Sequence, residues 1–308
     1  MPNCLVIGSA AADVIIRIPH LPSTGEDIHI ISQEMSLGGC AWNVFHTIRL
    51  FQIPAVLFSP IGTGVYGDFI RSELAARNVS VPIPSPEEKN GCCYCFVEDS
   101  GERTFLSHRG AEYRFREEWF QLLPKNCRDY TYVCGLEIEE STGETILRYL
   151  EAAPGLQIFF APGPRICQIE QDKLNRLFAL RPVLHLNETE ALSYTGKETV
   201  EQAAQTLHTL TGNIVIVTLG ENGAYYNEGT SCGYVPPVQT DTVTDTIGAG
   251  DAHIGAVMAC LAMGLSLKES IRTANRVSAA VVGTRGACLS KEAFDALCVP
   301  APQSLPIP

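Results

Sequence analysis

Six short apolar runs constrain this chain's fold more than any other feature: Cys4–Gly8, Ala55–Ile61, Thr131–Cys134, Gln157–Ala161, Val183–Asn187 and Ile214–Leu219. Several carry no polar alternation, so both faces of each predicted strand must be covered by protein. Between them lie helical patterns over Asn43–Phe51, Asp68–Arg77, Glu144–Ala152, Glu188–Thr195 and Val200–Thr211, with a further pair over Gly250–Met263 and Leu267–Val282. Buried strands separated by helices predict an α/β fold, a central mostly parallel sheet flanked by helices. At 308 residues and 45% hydrophobic, the chain is long enough for one large core with a smaller appendage.

Two segments break that rhythm. Residues 13–36 and 91–110 read as short strands joined by turns, with Asp99-Ser100-Gly101-Glu102 as a hairpin turn between Cys92–Glu98 and Arg103–Ser107. Together they predict a small β lid standing over the carboxyl ends of the parallel strands, where ligands bind in open α/β folds. The predicted division is thus residues 1–12, 37–90 and 111–299 for the α/β catalytic domain, 13–36 and 91–110 for the lid, and 300–308 for a disordered tail. That tail contains Pro300, Pro302, Pro306 and Pro308. An apolar lid edge would also offer a surface for a homodimer.

Net charge is −12, which argues against a nucleic-acid partner, since such surfaces carry a basic stripe. No run approaches the roughly 18 apolar residues of a membrane span. Residues 1–8 read as a first strand and lack the pattern of a secretion signal, which predicts a cytoplasmic protein. The twelve cysteines then read as reduced thiols, mostly buried. Cys92-Cys93-Tyr94-Cys95 contains a CxxC, but no second ligand pair exists at zinc spacing, so packing is the favoured role. Strand alternation places Cys93, Cys95 and Val97 on one face and Cys92, Tyr94 and Phe96 on the other.

The chemistry concentrates in Asp245-Thr246-Ile247-Gly248-Ala249-Gly250-Asp251-Ala252, which leads into an apolar helix. Small residues at a helix start allow the N–H groups of Gly248, Ala249 and Gly250 to converge on one anion, favoured by the helix dipole. Asp251 would lie beside that anion. With an acceptor hydroxyl between them, it can take the proton while the turn stabilises a transferring phosphoryl group. The plain alternative is a glycine-rich N-cap followed by a structural first-turn acid.

The segment Asp245–Asp251 resembles the signature of the ribokinase/PfkB family of carbohydrate and nucleoside kinases, and further similarities run from about Cys4 to Ser290. Gly8–Asp13 resembles the strand ending in a substrate-binding aspartate, Asp13. Gly38-Gly39-Cys40-Ala41-Trp42-Asn43 resembles the paired-glycine segment, in which Gly38, Gly39 and Asn43 would hold substrate hydroxyls, with Glu137 as a further substrate-side acid. Gly101–Phe105 and Arg109-Gly110-Ala111 are similar to the lid hairpin. Asn187-Glu188-Thr189-Glu190 is similar to a motif tied to nucleotide phosphate (Asn187) and to magnesium through water (Glu190). Thr218, Gly220 and Gly223 would border the nucleotide and Asn275 would line the adenine pocket, with Arg165 on phosphate. A monovalent-cation loop is implied in Asp245, the carbonyls of Ile247, Val281, Thr284 and Gly286, and the Ser290 hydroxyl, which makes potassium a candidate activator.

The resemblance therefore implies an ATP- and magnesium-dependent kinase acting on a hydroxyl of a sugar or sugar-like molecule. A nucleoside kinase of adenosine or pseudouridine type is the alternative within the family, and a non-catalytic sugar-binding regulator the alternative outside it. The main departure is Ala161, where the family often has an aspartate of the phosphate and metal network; lesser ones are Gly64, where an aspartate is usual, Phe45, where a small residue is usual, and His253, where an aromatic is frequent. His253, Phe45, His46 and His108 are read as packing residues. Gly62-Thr63-Gly64-Val65-Tyr66-Gly67 fits a dinucleotide pattern but does not follow the first strand, so it reads as turn geometry.

Overall fold

A computed structural model describes residues 3–124, 129–153, 155–239, 244–284 and 286–300. The predicted tail falls outside the described residues from 301 onward, as does Arg285 within the predicted cation loop. The strands are β1 (Cys4–Ile7), β2 (Ala11–Ile18), β3 (Ser32–Gly38), β4 (Ala55–Phe58), β5 (Cys92–Glu98), β6 (Arg103–His108), β7 (Tyr130–Cys134), β8 (Gln157–Ala161), β9 (Val183–Asn187), β10 (Val215–Thr218), β11 (Ala224–Asn227) and β12 (Cys232–Val235). The helices are α1 (Cys40–Leu50), α2 (Gly64–Ala76), α3 (Gly135–Glu139), α4 (Gly143–Ala152), α5 (Gln171–Ala179), α6 (Glu188–Thr195), α7 (Val200–Thr211), α8 (Ala249–Ala262), α9 (Leu267–Val282) and α10 (Lys291–Asp295).

The main sheet has eight strands in the order β12-β11-β10-β9-β8-β7-β1-β4. From β4 to β10 every pairing is parallel, and β11 and β12 extend the far edge antiparallel. The fully apolar runs explain this architecture. In β1, Cys4 and Val6 point into one core with α1, α8 and α9, while Leu5 and Ile7 point into the other with α4, α5 and α7. A single strand thus feeds both cores, which only a sheet covered on both faces requires.

Residues of β11 and β12 form a hairpin that the sequence pattern left unassigned. Each strand is four residues long, too short for a period of two to show. The helices α3, α5 and α10 were equally unassigned. Of these, α5 buries Leu174, Leu177 and Phe178 along one stripe, a helical spacing visible in retrospect.

The second sheet has the order β3-β2-β5-β6. Its outer pairs are antiparallel and its central pair, β2 with β5, is parallel. The β5–β6 hairpin turns at Gly101, where a positive φ of 88° suits glycine. Register puts Asp13, Cys93, Cys95, Phe105 and Ser107 on one face of this sheet, and Val14, Met35, Tyr94 and Leu106 on the other. The second face packs toward α2, where the Tyr66 and Tyr94 hydroxyls lie 2.9 Å apart. Eleven cysteines, all those among the described residues, are unbridged. Among the described residues no helix is long and apolar enough to cross a membrane.

Candidate active site

The carboxyl ends of β1, β7, β8, β9 and β10 lie along one rim, and the segments leaving them carry the polar side chains singled out from the sequence. Strand β1 continues through Gly8-Ser9-Ala10 into β2, which delivers Asp13. After β3 the chain doubles back at Gly38-Gly39 to start α1. Gly39 has φ 95°, and a Cβ there would meet the Ser9 carbonyl oxygen at 2.5 Å. A Cβ on Gly38 would fall 1.9 Å from Asp13 Oδ2. Gly39, with backbone on that side, excludes a side chain, whereas at Gly38 the Asp13 carboxylate uses the space a side chain would take.

Helix α1 buries Asn43, whose Nδ2 donates to Asp251 Oδ2 over 2.9 Å. Asn43 Oδ1 accepts from the Cys288 thiol at 3.5 Å. One amide hydrogen and the amide oxygen thus have protein partners, and the contact with Asp251 joins the paired-glycine segment to the motif helix 208 residues away. Burial raises Asp251 to about 6, against the opposing effect of the Asn43 hydrogen bond. Asp13 is raised to about 7, by burial first and by the Asp251 charge second. Glu137, from α3, is 1% exposed and accepts the Ser9 N–H at 2.8 Å. Burial raises it to about 7 as well. Three carboxyl groups thus titrate near neutrality in one region, an arrangement typical of sites that move protons.

The motif turn opens α8. Gly248 is its N-cap with φ 74°, and a Cβ there would lie 2.4 Å from that of Ala287, so the turn packs tightly on the C-terminal loop. A Cβ on Gly250 would meet nothing within 4 Å. Its missing side chain instead leaves room beside the first-turn N–H groups, which have no intrahelical acceptor. Next to this turn is a cavity of about 300 Å³, lined by Thr218, Gly220, Gly223, Ala249, Gly250, His253 and Asn275 among others. Residues assigned separately to the anion turn and to the nucleotide border therefore share one cavity wall.

His253 does more than pack. It lines the cavity, its Nε2 lies 3.0 Å from Asn275 Oδ1, and its Nδ1 lies 2.9 Å from His185 Nε2. Because an amide oxygen only accepts, Nε2 of His253 carries the proton and Nδ1 accepts from His185. Asn275 Nδ2 in turn donates to the Pro236 carbonyl at 2.8 Å. Burial holds both imidazoles neutral, His253 down to about 4 and His185 well below its ordinary value. The only sequence signal for this chain of contacts was a histidine at an apolar helix position.

On the neighbouring strand end, where Asn187 pairs with Thr218, Asn187 and Glu190 form a reciprocal capping box at the start of α6. Glu190 Oε1 and Oε2 accept from Asn187 Nδ2 and N at 2.9 and 3.0 Å. Among the described residues no three His, Cys, Asp or Glu side chains cluster as a metal cage. This donor set fits magnesium only as an ion carried by phosphate oxygens and water, with Glu190 as an outer carboxylate. Arg165 is held by Glu139, through Nε at 2.8 Å and through Nη2, and Arg109 bridges Glu139 and Glu140. Ala161 ends β8 beside this cluster without a carboxylate of its own.

Asp245 is 7% exposed. Its Oδ1 accepts from the Ile247 N–H at 2.8 Å and from the Arg103 guanidinium of β6, and its Oδ2 from the Gly286 N–H at 3.4 Å. The Val281 carbonyl accepts from Thr284 N and Oγ1, both at 2.9 Å, and Ser290 Oγ caps α10.

Residues 1–293 match the family model described as pfkB family carbohydrate kinase. The chain is 35% identical over 296 residues to the uncharacterized sugar kinase YegV of Escherichia coli, covering 92% of this chain and 89% of that one. Among solved structures it resembles ribokinase from Thermotoga maritima with TM-score 0.84 at 22% identity, covering 97% and 99% of the two chains. Ribokinase from Arabidopsis thaliana, solved with ribose and ATP, gives TM-score 0.77 at 21% identity, covering 96% and 98%.

Proposed function

Because the chain belongs to the pfkB family of carbohydrate kinases, we propose that it transfers the γ-phosphoryl group of ATP to a hydroxyl of a sugar or sugar-like molecule, with Asp251 as the base. The observation carrying this reading is the place of Asp251. It stands in the first turn of α8 beside the open space at Gly250 and the cavity of about 300 Å³, it accepts from Asn43, and it lies close enough to Asp13 for its charge to raise that carboxyl.

The acceptor lies between Asp13 and Asp251, with Glu137 and the backbone at Gly38-Gly39 as further partners for its hydroxyls. Carboxylates are acceptor-only groups, which suits a polyol that offers several O–H donors. Asp251 takes the proton of the attacking hydroxyl as its oxygen bonds to the γ-phosphorus, and the bond to the β–γ bridging oxygen breaks to release ADP. A base near 6 is ionised at neutral pH yet still basic enough to accept a proton. Asn43 orients that carboxylate. The N–H groups of Gly248, Ala249 and Gly250 stabilise charge on the transferring group.

ATP occupies the cavity of Thr218, Gly220, Gly223 and Asn275. Asn275, with both amide ends engaged, contributes by holding the Pro236 strand end in place. Asn187 lies toward the phosphates. Glu190 would hold a magnesium ion through water, and the ion would supply neutralisation of phosphate charge. Arg165 reaches phosphate only by leaving Glu139. The small sheet acts as a lid that excludes water, the competing acceptor. On its α2-side face the edge strands β3 and β6 expose Met35 and Leu106, which a second copy of the chain would cover in a homodimer. The reading places the protein in the cytoplasm.

A nucleoside acceptor is the second reading, and Phe105 favours it. Of the lid aromatics, Tyr94 and Phe96 point to the α2 side, whereas Phe105 shares the face of Asp13 and is 50% exposed, free to stack on a base. Release of ADP from ATP and magnesium across sugars, sugar acids and nucleosides separates the two. Turnover on one compound that disappears in Asp251→Asn supports the reading, and a protein that binds no ATP refutes it.

A further inference from the structure

We propose that Arg103 supplies, from the lid, the positive charge beside the Asp245 turn that a monovalent cation would otherwise provide, so that catalysis depends on this arginine and not on potassium. Three of the six groups expected to form a cation site, Asp245, the Val281 carbonyl and Ser290, already accept hydrogen bonds from the protein. Asp245 is the only charged ligand of that set, and its Oδ1 receives both the Arg103 guanidinium and the Ile247 N–H. Its Oδ2 receives the Gly286 N–H. The Val281 carbonyl takes two donors from Thr284. Ser290 Oγ accepts the Ala293 N–H at 3.2 Å as the cap of α10.

Charge decides between the two cations. Asp245 contributes one negative charge in a nearly closed setting, 7% exposed, and Arg103 is itself only 22% exposed. Guanidinium stays protonated at any working pH and is less strongly hydrated than ammonium, so it tolerates such a place. Its fork also suits a carboxylate better than a bare ion that still needs several more oxygens. A potassium ion brought to the same carboxylate would face a fixed like charge with one anion to share.

The consequence is mechanical as well as electrostatic. Arg103 sits on lid strand β6, 142 residues from Asp245 in sequence, and Asp245 opens the turn that continues through Gly248 to Asp251. The pair therefore joins the small sheet to the turn before Asp251, and the turn has its working charge balance with that strand docked. Arg103 acts through Asp245, as a positioning residue.

The kinetic test rests on the kinase reading, whereas the binding test does not. With potassium replaced by tetramethylammonium, wild-type kcat should change by less than about twofold. Arg103→Met should lower kcat at least about tenfold, on the scale of losing one stabilising contact to a transition-state-binding turn. Added potassium or guanidinium should then restore part of it, an effect that a merely structural role would not produce, and Arg103→Lys should lie between. Without any substrate, potassium should leave the wild-type melting temperature unchanged and raise that of Arg103→Met. Strong activation or thermal stabilisation of the wild type by potassium overturns the proposal, as does an Arg103→Met enzyme with unaltered kcat. Should no acceptor be turned over, the melting experiment still decides the matter.

Discussion

Replacing Gly38 by alanine tests the substrate side of the site with one methyl group. The added carbon would sit 1.9 Å from Asp13 Oδ2 and 2.6 Å from its Cγ. Tolerable contacts begin near 3.0 Å, so the Asp13 carboxylate must retreat by more than 1 Å. Gly38 ends β3 and its φ is not positive, so the backbone itself accepts alanine there. The expected result is a folded protein with a displaced carboxylate. A misplacement of about 1 Å costs on the order of a hundredfold in rate, so kcat/KM for the acceptor should fall by roughly that factor. The KM for ATP should stay near wild type, because Gly38 and Asp13 are absent from the cavity at Thr218 and Asn275. Coupled ADP-release kinetics at varied acceptor and varied ATP measure both, and a melting curve checks the fold. A correctly folded Gly38→Ala enzyme with wild-type kcat/KM would refute Asp13 as an acceptor ligand.

Three further outcomes follow from the same geometry. Asp251→Asn should lower kcat by about 10²–10⁴-fold while acceptor binding by calorimetry persists. Because Asp251 is raised to about 6 in the folded state, its ionised form destabilises the fold above that pH. The variant should therefore gain melting temperature over wild type at pH 8, and that advantage should shrink below pH 6 and vanish only near pH 4, the ordinary range of an unfolded aspartate. The kcat/KM profile should rise from pH 5 to pH 8, since Asp13 near 7 and Asp251 near 6 must both be ionised in the free enzyme, and a flat profile would contradict those roles. His253→Phe leaves Asn275 Oδ1 buried without its donor, a cost of about 1–3 kcal/mol. It should raise the KM for ATP with little change in kcat, and in the wild type neither His185 nor His253 should titrate by NMR between pH 5.5 and 8.

Much of this was legible along the chain. The runs Gln157–Ala161 and Val183–Asn187 became β8 and β9 without a residue's change, as did the helical patterns that became α6, α7 and α9. The alternation in Cys92–Glu98 separated its two faces before any partner strand was known. Such features depend on the spacing of apolar residues within a few turns or pleats, a local property that each segment carries by itself. The glycine turn before Asp251 was legible for the same reason.

Contacts between polar side chains followed a different rule. Asn43 reads from sequence as a ligand for hydroxyls, and its bonds to Asp251 and Cys288 carry no signal along the chain. His253 reads as a packing residue, and Arg103 as one letter of a hairpin, yet each joins segments far apart in the chain. Which lid face meets the cleft also waited on the register of β2 with β5. Hydrogen bonds and ion pairs are set by the path that brings two distant segments within 3 Å, and no periodicity encodes that path. The sequence alone determined the parallel strands, most of the flanking helices and the place of the glycine turn before Asp251; the tertiary structure decided the antiparallel edge of the sheet and what each polar group in the site is bonded to, because only the packed layers bring those groups together.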